Sequence, residues 1–333
     1  MTAAVEVEEE QLAPPPWLVV LGVLLAGTSI AALLAEVYRF ADMATVGRFI
    51  TVPGLLALAV LGSGNVLKVQ GADEFRRRLR VGSVSGVIGT IGYDVFRIPF
   101  AMAGRRLFAP IDSYGMFLVD DQLSSSWSDT VGWLFHLSNG VTFGVAYALV
   151  MARRHWAWGV LWGLALETAI VVTPFRERYN LHDWTAISIA YAAHIPYGFA
   201  VGWMCQHLDE QDRNLRQALR YPVLATVGAA TLFIVLWQHP WTDTEARELA
   251  HQLTDEAGQV VLVVDTDAFA PEWSRVESGG CLFVENRGDQ RFETNFGVIE
   301  PEARSELCFP TDGVLRVHLG ERPYSGGFVD VGG

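Results

Sequence analysis

The chain has 333 residues, 51% of them hydrophobic, with a mean hydropathy of +0.25, values that favour a polytopic membrane protein over a soluble globule with one oversized core. Its 24 basic and 37 acidic residues give a formal net charge of -13. Nothing in it resembles a basic phosphate-binding face, so nucleic acid is excluded as an expected partner and the lipid bilayer is the first one expected.

Residues 1–16 form an acidic tail containing the run EVEEE. No cleavable signal is expected, because the first apolar stretch is already of spanning length. Windows apolar enough to cross about 30 Å of hydrocarbon then recur at 17–37, 46–67, 82–103, 130–151, 156–174, 184–206 and 221–239. They predict a membrane domain over 17–240, an all-α bundle of about seven transmembrane helices. Orientation follows the basic residues of the short loops. A cytoplasmic N-terminus puts Lys68, Arg76, Arg77, Arg78, Arg80, Arg153, Arg154, Arg213, Arg216 and Arg220 inside, against Arg39, Arg48, Arg105, Arg106, Arg176 and Arg178 outside. Seven crossings then place the C-terminal segment outside the cytoplasm, in a multi-pass protein of the cell membrane.

The third window is the weakest, because Asp94, Arg97 and Pro99 interrupt it. Its glycines at 82, 86, 89 and 92 permit close backbone approach and predict a tightly packed central helix. A re-entrant segment here would instead return the tail to the cytoplasm. The external loop from Arg105 to Asp129 is longer than the others and is a candidate lid or docking surface.

Residues 241–258 form a juxtamembrane linker in which Leu249 and Leu253, four apart, predict a short polar helix. From 259 to 333 the pattern changes to short runs, VVLVVDT, CLFVEN, SELCF, VLRVHL and GFVDV, separated by glycine, proline and asparagine. That density of strands and turns predicts an all-β sandwich. The landmarks of the segment are Phe269 and Pro271, Val276 to Gly279, Asn286 and Gly288, Ile299 to Pro301, Gly313, and Gly327 to Val331. In these residues and their spacing the segment resembles the cupredoxins. The resemblance implies an extracytoplasmic cupredoxin-like domain in a setting of electron transfer or copper handling. Type 1 copper needs two imidazoles and a thiolate, whereas the corresponding positions here offer Arg291, Phe292, Glu293 and Leu319, with His318 on the opposite face of its strand. No type 1 copper is therefore expected, and the domain is expected to serve interaction with protein partners.

Cys281 and Cys308 fall in predicted strands, and Cys205 closes the sixth window. In an oxidising compartment the first two are a candidate disulfide; two buried thiols, or metal binding by the pair, are the alternatives.

Four ionisable residues lie inside otherwise apolar windows: Asp94, His136, Glu167 and His194. A charge at mid-bilayer costs roughly 2.5 to 3.5 kcal/mol, so such residues are expected to face the bundle interior and to mark a site. Arg97, Asn139, Tyr191 and Tyr197 lie at helical spacing from them as supporting polar residues. Two imidazoles and two carboxylates suit iron, zinc or manganese; the two histidines alone suit haem. The same set can relay protons. It can also simply orient the helices, with Asp94 paired to Arg97 and Glu167 bonded to Asn139 or Tyr191. The expected function is that of a membrane protein whose buried polar site binds a metal ion or relays protons. The alternative is a non-catalytic accessory or receptor subunit of an electron-transfer or metal-handling complex.

Overall fold

The computed structural model describes residues 13–64, 66–103, 107–179, 184–218, 244–257, 261–265, 268–320 and 322–332. Its helices are α1 (Pro16–Val37), α2 (Met43–Gly62, with a π-helical turn at Gly47–Thr51), α3 (Ala72–Met102), α4 (Ala109–Val119), α5 (Ser126–Met151), α6 (Ala157–Val172), α7 (Phe175–Arg178), α8 (Trp184–Gln206), α9 (Leu208–Ala218) and α10 (Thr244–Ala257). Three of them, α1, α2 and α5, are long and apolar enough to cross a membrane, and α6 is a shorter apolar helix. The expected third and sixth windows coincide with α3 and α8, where glycine, serine, tyrosine and the ionisable residues dilute the apolar character. The expected seventh, 221–239, lies outside the described residues.

α3 is one continuous helix of 31 residues, roughly 46 Å long at 1.5 Å per residue. It packs against α5 and α8, and α6 packs against α8. These crossings are set by glycine. A methyl group added at Gly86 would lie 2.5 Å from the Gly140 carbonyl oxygen, and one at Gly144 would lie 2.5 Å from that of Gly82. Gly159 and Gly198 oppose each other in the same way across α6 and α8. Backbones this close leave no room for any other residue, as the glycine spacing of the third window predicts.

The basic loops expected on one side gather at one end of the bundle. Glu74 accepts from Arg78 Nε at 2.9 Å and from Arg153 Nη1 at 2.6 Å. Arg77 donates to Asp209 at 2.6 Å and Arg80 to Asp212 at 2.9 Å, which ties α9 to α3. Burial opposes ionisation of Glu74 and Asp209, but the arginine hydrogen bonds outweigh it and hold both carboxyls below the usual carboxylate range.

At the other end sits a six-stranded sheet of order β6-β3-β1-β2-β8-β7, with β4 and β5 forming a separate hairpin. The strands are β1 (Val261–Asp265), β2 (Ala268–Val276), β3 (Cys281–Asn286), β4 (Phe292–Thr294), β5 (Gly297–Ile299), β6 (Arg304–Cys308), β7 (Gly313–Leu319) and β8 (Arg322–Val331). The expected all-β domain is thus present, as one mixed six-stranded sheet with a small hairpin. The first half of β2 runs antiparallel to β1, with Val263 opposite Ala270, and its second half runs parallel to β8, with Trp273 opposite Phe328. The β2–β8 ladder carries a register shift between Ala268, opposite Gly326, and Trp273. One continuous sheet curls around its core, and the irregularity in β2 is a place where a strand bends and twists more strongly. Leu262, Val264, Leu282, Val284, Val317 and Val329 fill that core. The linker helix α10 packs on β1 and β2, with Ala250 buried and Leu249 against the same core.

The sheet is docked on the bundle through buried charge. Arg178 Nη2 lies 2.6 Å from Asp330 Oδ1, and Arg275 lies 3.4 Å from Asp330 and 3.5 Å from Glu36. Glu36 also accepts from the Met43 backbone N–H at 2.8 Å. At the exposed rim of this contact Arg39 reaches Asp312 at 3.7 Å. Around these charges Leu33, Phe117, Phe175 and Tyr179 of the bundle meet Trp273 and Val314 of the sheet in one apolar cluster. The segment from Leu107 to Asp129 is thus a docking surface for the sheet, with Leu123 bridged to Ser274 and Phe117 in the shared cluster.

Cys281 and Cys308 stand opposite each other in the β3–β6 ladder and are joined by a disulfide, while Cys205 is a buried free thiol. Alkylation of the denatured, unreduced protein should therefore label one thiol and, after reduction, three. Three labels before reduction would contradict the bridge. In the chain-entropy model its loss should destabilise the sheet by about 3 to 4 kcal/mol.

The depressed carboxyls give a second expectation. Their stabilisation is complete above the ordinary glutamate value of 4.5 and is lost as pH falls through their lower folded values. Amide exchange in α9 should accelerate on acidification below that point, and Arg153→Met should remove most of this pH dependence. An α9 equally protected across the range would contradict it.

Candidate functional site

Asp94 lies on α3, His136 on α5, Glu167 on α6 and His194 on α8, so each reaches its position through one of the glycine crossings. They meet as two pairs. His136 Nε2 is 3.1 Å from both carboxylate oxygens of Asp94. His194 Nδ1 is 3.4 Å from Glu167 Oε2 and 2.9 Å from the carbonyl oxygen of Ala190. With the proton on Nδ1, that N–H donates to Ala190 and is shared with Glu167, leaving Nε2 as an acceptor. All four side chains are at least four-fifths shielded, so they face protein and not lipid.

Between the pairs stands Tyr93. Its ring centroid is 4.7 Å from that of His194, edge-on, and 6.0 Å from that of His136. Arg97, one turn further along α3, lies 3.5 Å from Asp94 Oδ1. Its guanidinium is held over the rings of Tyr93 at 4.7 Å and Phe108 at 4.5 Å, a desolvated cation–π geometry. The Arg97 charge is within electrostatic range of Glu167 and His194, and His136 is within range of His194. A buried cation thus sits where two carboxylates and two imidazoles converge.

The supporting residues divide. Tyr197 donates to the Gly140 carbonyl at 2.8 Å and pins α8 to α5. Tyr191 donates to Thr168 Oγ1 at 3.0 Å and not to Glu167, whose partner is His194. Asn139 is buried, and its Oδ1 has no hydrogen-bond partner among the described residues. Sequence reasoning missed Tyr93 and Phe108. Tyr93 carried a signal, being the aromatic beside Asp94 and four residues before Arg97.

Among the described residues, three His, Cys, Asp or Glu donors come within 4.8 Å of one another at Cys281, Glu306 and Cys308, where both sulfurs are already bonded to each other. The membrane set is two separate pairs and not one four-donor shell. In the sheet, the positions that the resemblance assigns to copper ligands hold Leu319, buried in the apolar core, and exposed Arg291 and Glu293, which face each other at 3.4 Å. That donor set does not fit a type 1 copper ion.

Comparison with protein-family models, with curated proteins and with solved structures finds no match to this chain. The site's chemistry is therefore argued from its own geometry.

The pairing has an energetic consequence. Polar contacts between membrane helices contribute on the order of 1 kcal/mol, so a double-mutant cycle of Glu167→Gln with His194→Phe should show a coupling of about that size. The cycle of Glu167→Gln with Tyr191→Phe should show none. Additive effects in the first cycle, measured by reversible unfolding in detergent or bilayers, would contradict the pairing.

Proposed function

We propose that the chain is a polytopic integral membrane protein whose two buried acid–imidazole pairs relay protons between the faces of the bilayer. The observation that carries this reading is the convergence of Asp94–His136 and Glu167–His194 on one tyrosine. Each imidazole can accept a proton on one nitrogen while releasing one from the other, and each carboxylate partner steadies the imidazolium formed in between. Arg97 supplies a fixed positive charge that keeps an extra proton from resting at the site. Shielding from lipid makes the set a functional element by the usual cost argument.

The proposed topology is seven crossings with a cytoplasmic N-terminus and an extracytoplasmic sheet. It is supported by the sorting of Arg76 to Arg80 and Arg153 to one end and Arg39 and Arg178 to the other. α9 lies at the first end and α10 on the sheet. For the sheet we propose a cupredoxin-like fold without copper, supported by the quoted landmarks and by the parallel pairings of β1 with β3 and of β2 with β8. Its exposed side is then free for protein partners.

Protein reconstituted into vesicles should dissipate an imposed pH gradient, and Glu167→Gln or His136→Ala should slow this at least about 10-fold, the scale expected for losing a proton-transfer group. Rates equal to wild type in both variants would reject the relay and return the pairs to helix packing. Stoichiometric iron, zinc or manganese in the purified protein, lost on replacing His136 and His194 together, would replace the relay with a metal centre.

A further inference from the structure

We infer that the β-sheet is energetically coupled to the acid–imidazole site through the short helix α4, so that the seating of the sheet regulates the site. What is regulated rests on the relay reading; the coupling itself does not.

α4 is clamped to charge at both ends. At its start, Phe108 lies under the Arg97 guanidinium at 4.5 Å, on a cation whose other contacts are Tyr93 and the carboxylate of Asp94. Near its end, Phe117 lies under the Arg275 guanidinium at 4.5 Å, and Arg275 belongs to the cluster that seats the sheet. Both stacks are largely shielded guanidinium–ring contacts, a geometry that is stronger when desolvated. In the middle, Tyr114 packs edge-on against Phe135, the residue before His136, and against Tyr179. Tyr179 in turn shares a 2.9 Å hydrogen bond with Ser113 and packs on Trp273 of the sheet.

The helix has little freedom to absorb a displacement at one end. Gly115 and Gly132 bring the backbones of α4 and α5 into direct contact, with Gly115 against Ser128 and Gly132 against Ile111. His136 is one turn beyond Gly132 on the same helix, so a tilt of α4 moves the imidazole's support. After α4 the chain adds itself to β2. Arg275 N donates to the Gln122 carbonyl at 2.7 Å, Ser124 N donates to the Trp273 carbonyl at 2.9 Å, and Leu123 bridges to Ser274. The charged and titratable groups around Arg97 include Asp94, His136, Glu167, His194, Tyr93 and Tyr114; those around Arg275 include Glu36, Asp42, Asp120, Asp330, Arg178 and Arg39. A change of charge in the first set alters the pull on Arg97 and is passed by packed rings to the second. Such coupling is reciprocal.

Hydrogen exchange and flux test the two directions separately. Asp94→Asn, or Arg97→Lys, which keeps the charge and loses the flat stack, should speed exchange of the Trp273 and Arg275 amides by about 5-fold or more. The amides of β3 and β6 should be unchanged. In the reverse direction Phe117→Leu and Arg275→Lys should change the rate of gradient dissipation by a similar factor, whereas Arg291→Gln on the far hairpin should not. Unaltered β2 exchange in both site variants would overturn the inference. So would wild-type flux in both junction variants. If Glu167→Gln leaves flux at the wild-type rate, the relay reading has failed, and the β2 exchange result alone decides the coupling.

Discussion

Where α3 crosses α5, Gly86 and Gly144 let the two backbones touch, and Gly159 with Gly198 do the same for α6 and α8. All other features of the polar centre depend on that proximity. Helices with ordinary side chains pack with their axes 8–10 Å apart, and glycine at the crossing brings them closer. With the backbones in contact, Asp94 and His136 lie within hydrogen-bonding distance and Glu167 and His194 nearly so, and Tyr93 fits between the pairs. A methyl group at Gly86 or Gly144 would push α3 from α5 and strain the Asp94–His136 pair, and one at Gly159 or Gly198 would do the same to α6, α8 and the Glu167–His194 pair.

Much of this was legible in the residues, for a physical reason. An ionisable group in an apolar window is costly, so Asp94, His136, Glu167 and His194 announced themselves, and the glycines of the third window announced its close packing. The pairing did not, because depth along a helix says nothing of which helix is its neighbour. Tyr93 was overlooked because an aromatic residue in an apolar window costs nothing, and Phe108 because it falls in the loop between two windows. The loop from Arg105 to Asp129 was readable as a docking surface but α4 within it was not, since Pro110 and Gly115 look like loop residues until Gly115 is seen against Ser128. The strands of the sheet were readable from composition. Their order in one curled sheet was not, because the parallel pairing of β2 with β8 and its register shift join segments far apart in the chain.

Both ends of the bundle are held by arginine and carboxylate rather than by apolar contact alone. At the end opposite the sheet, Glu74 and Asp209 are kept ionised by Arg153 and its neighbours. At the sheet end the balance differs, since burial pushes the Asp330 carboxyl up against the opposing pull of Arg178 and Arg275. Buried ion pairs add little net stability but are costly to break singly. They therefore fix one arrangement of bundle and sheet, and the intervening acid–imidazole pairs lie within a frame that is pinned above and below them.

The central claim is that two acid–imidazole pairs meet inside the bundle, and internuclear distances test it most directly. In protein carrying labelled histidine, aspartate and glutamate in lipid bilayers, solid-state NMR should show contact between the His136 ring nitrogens and the Asp94 carboxyl carbon, and between those of His194 and Glu167. Spectra in which neither imidazole sees its carboxyl carbon, while the helices remain intact, would contradict the account.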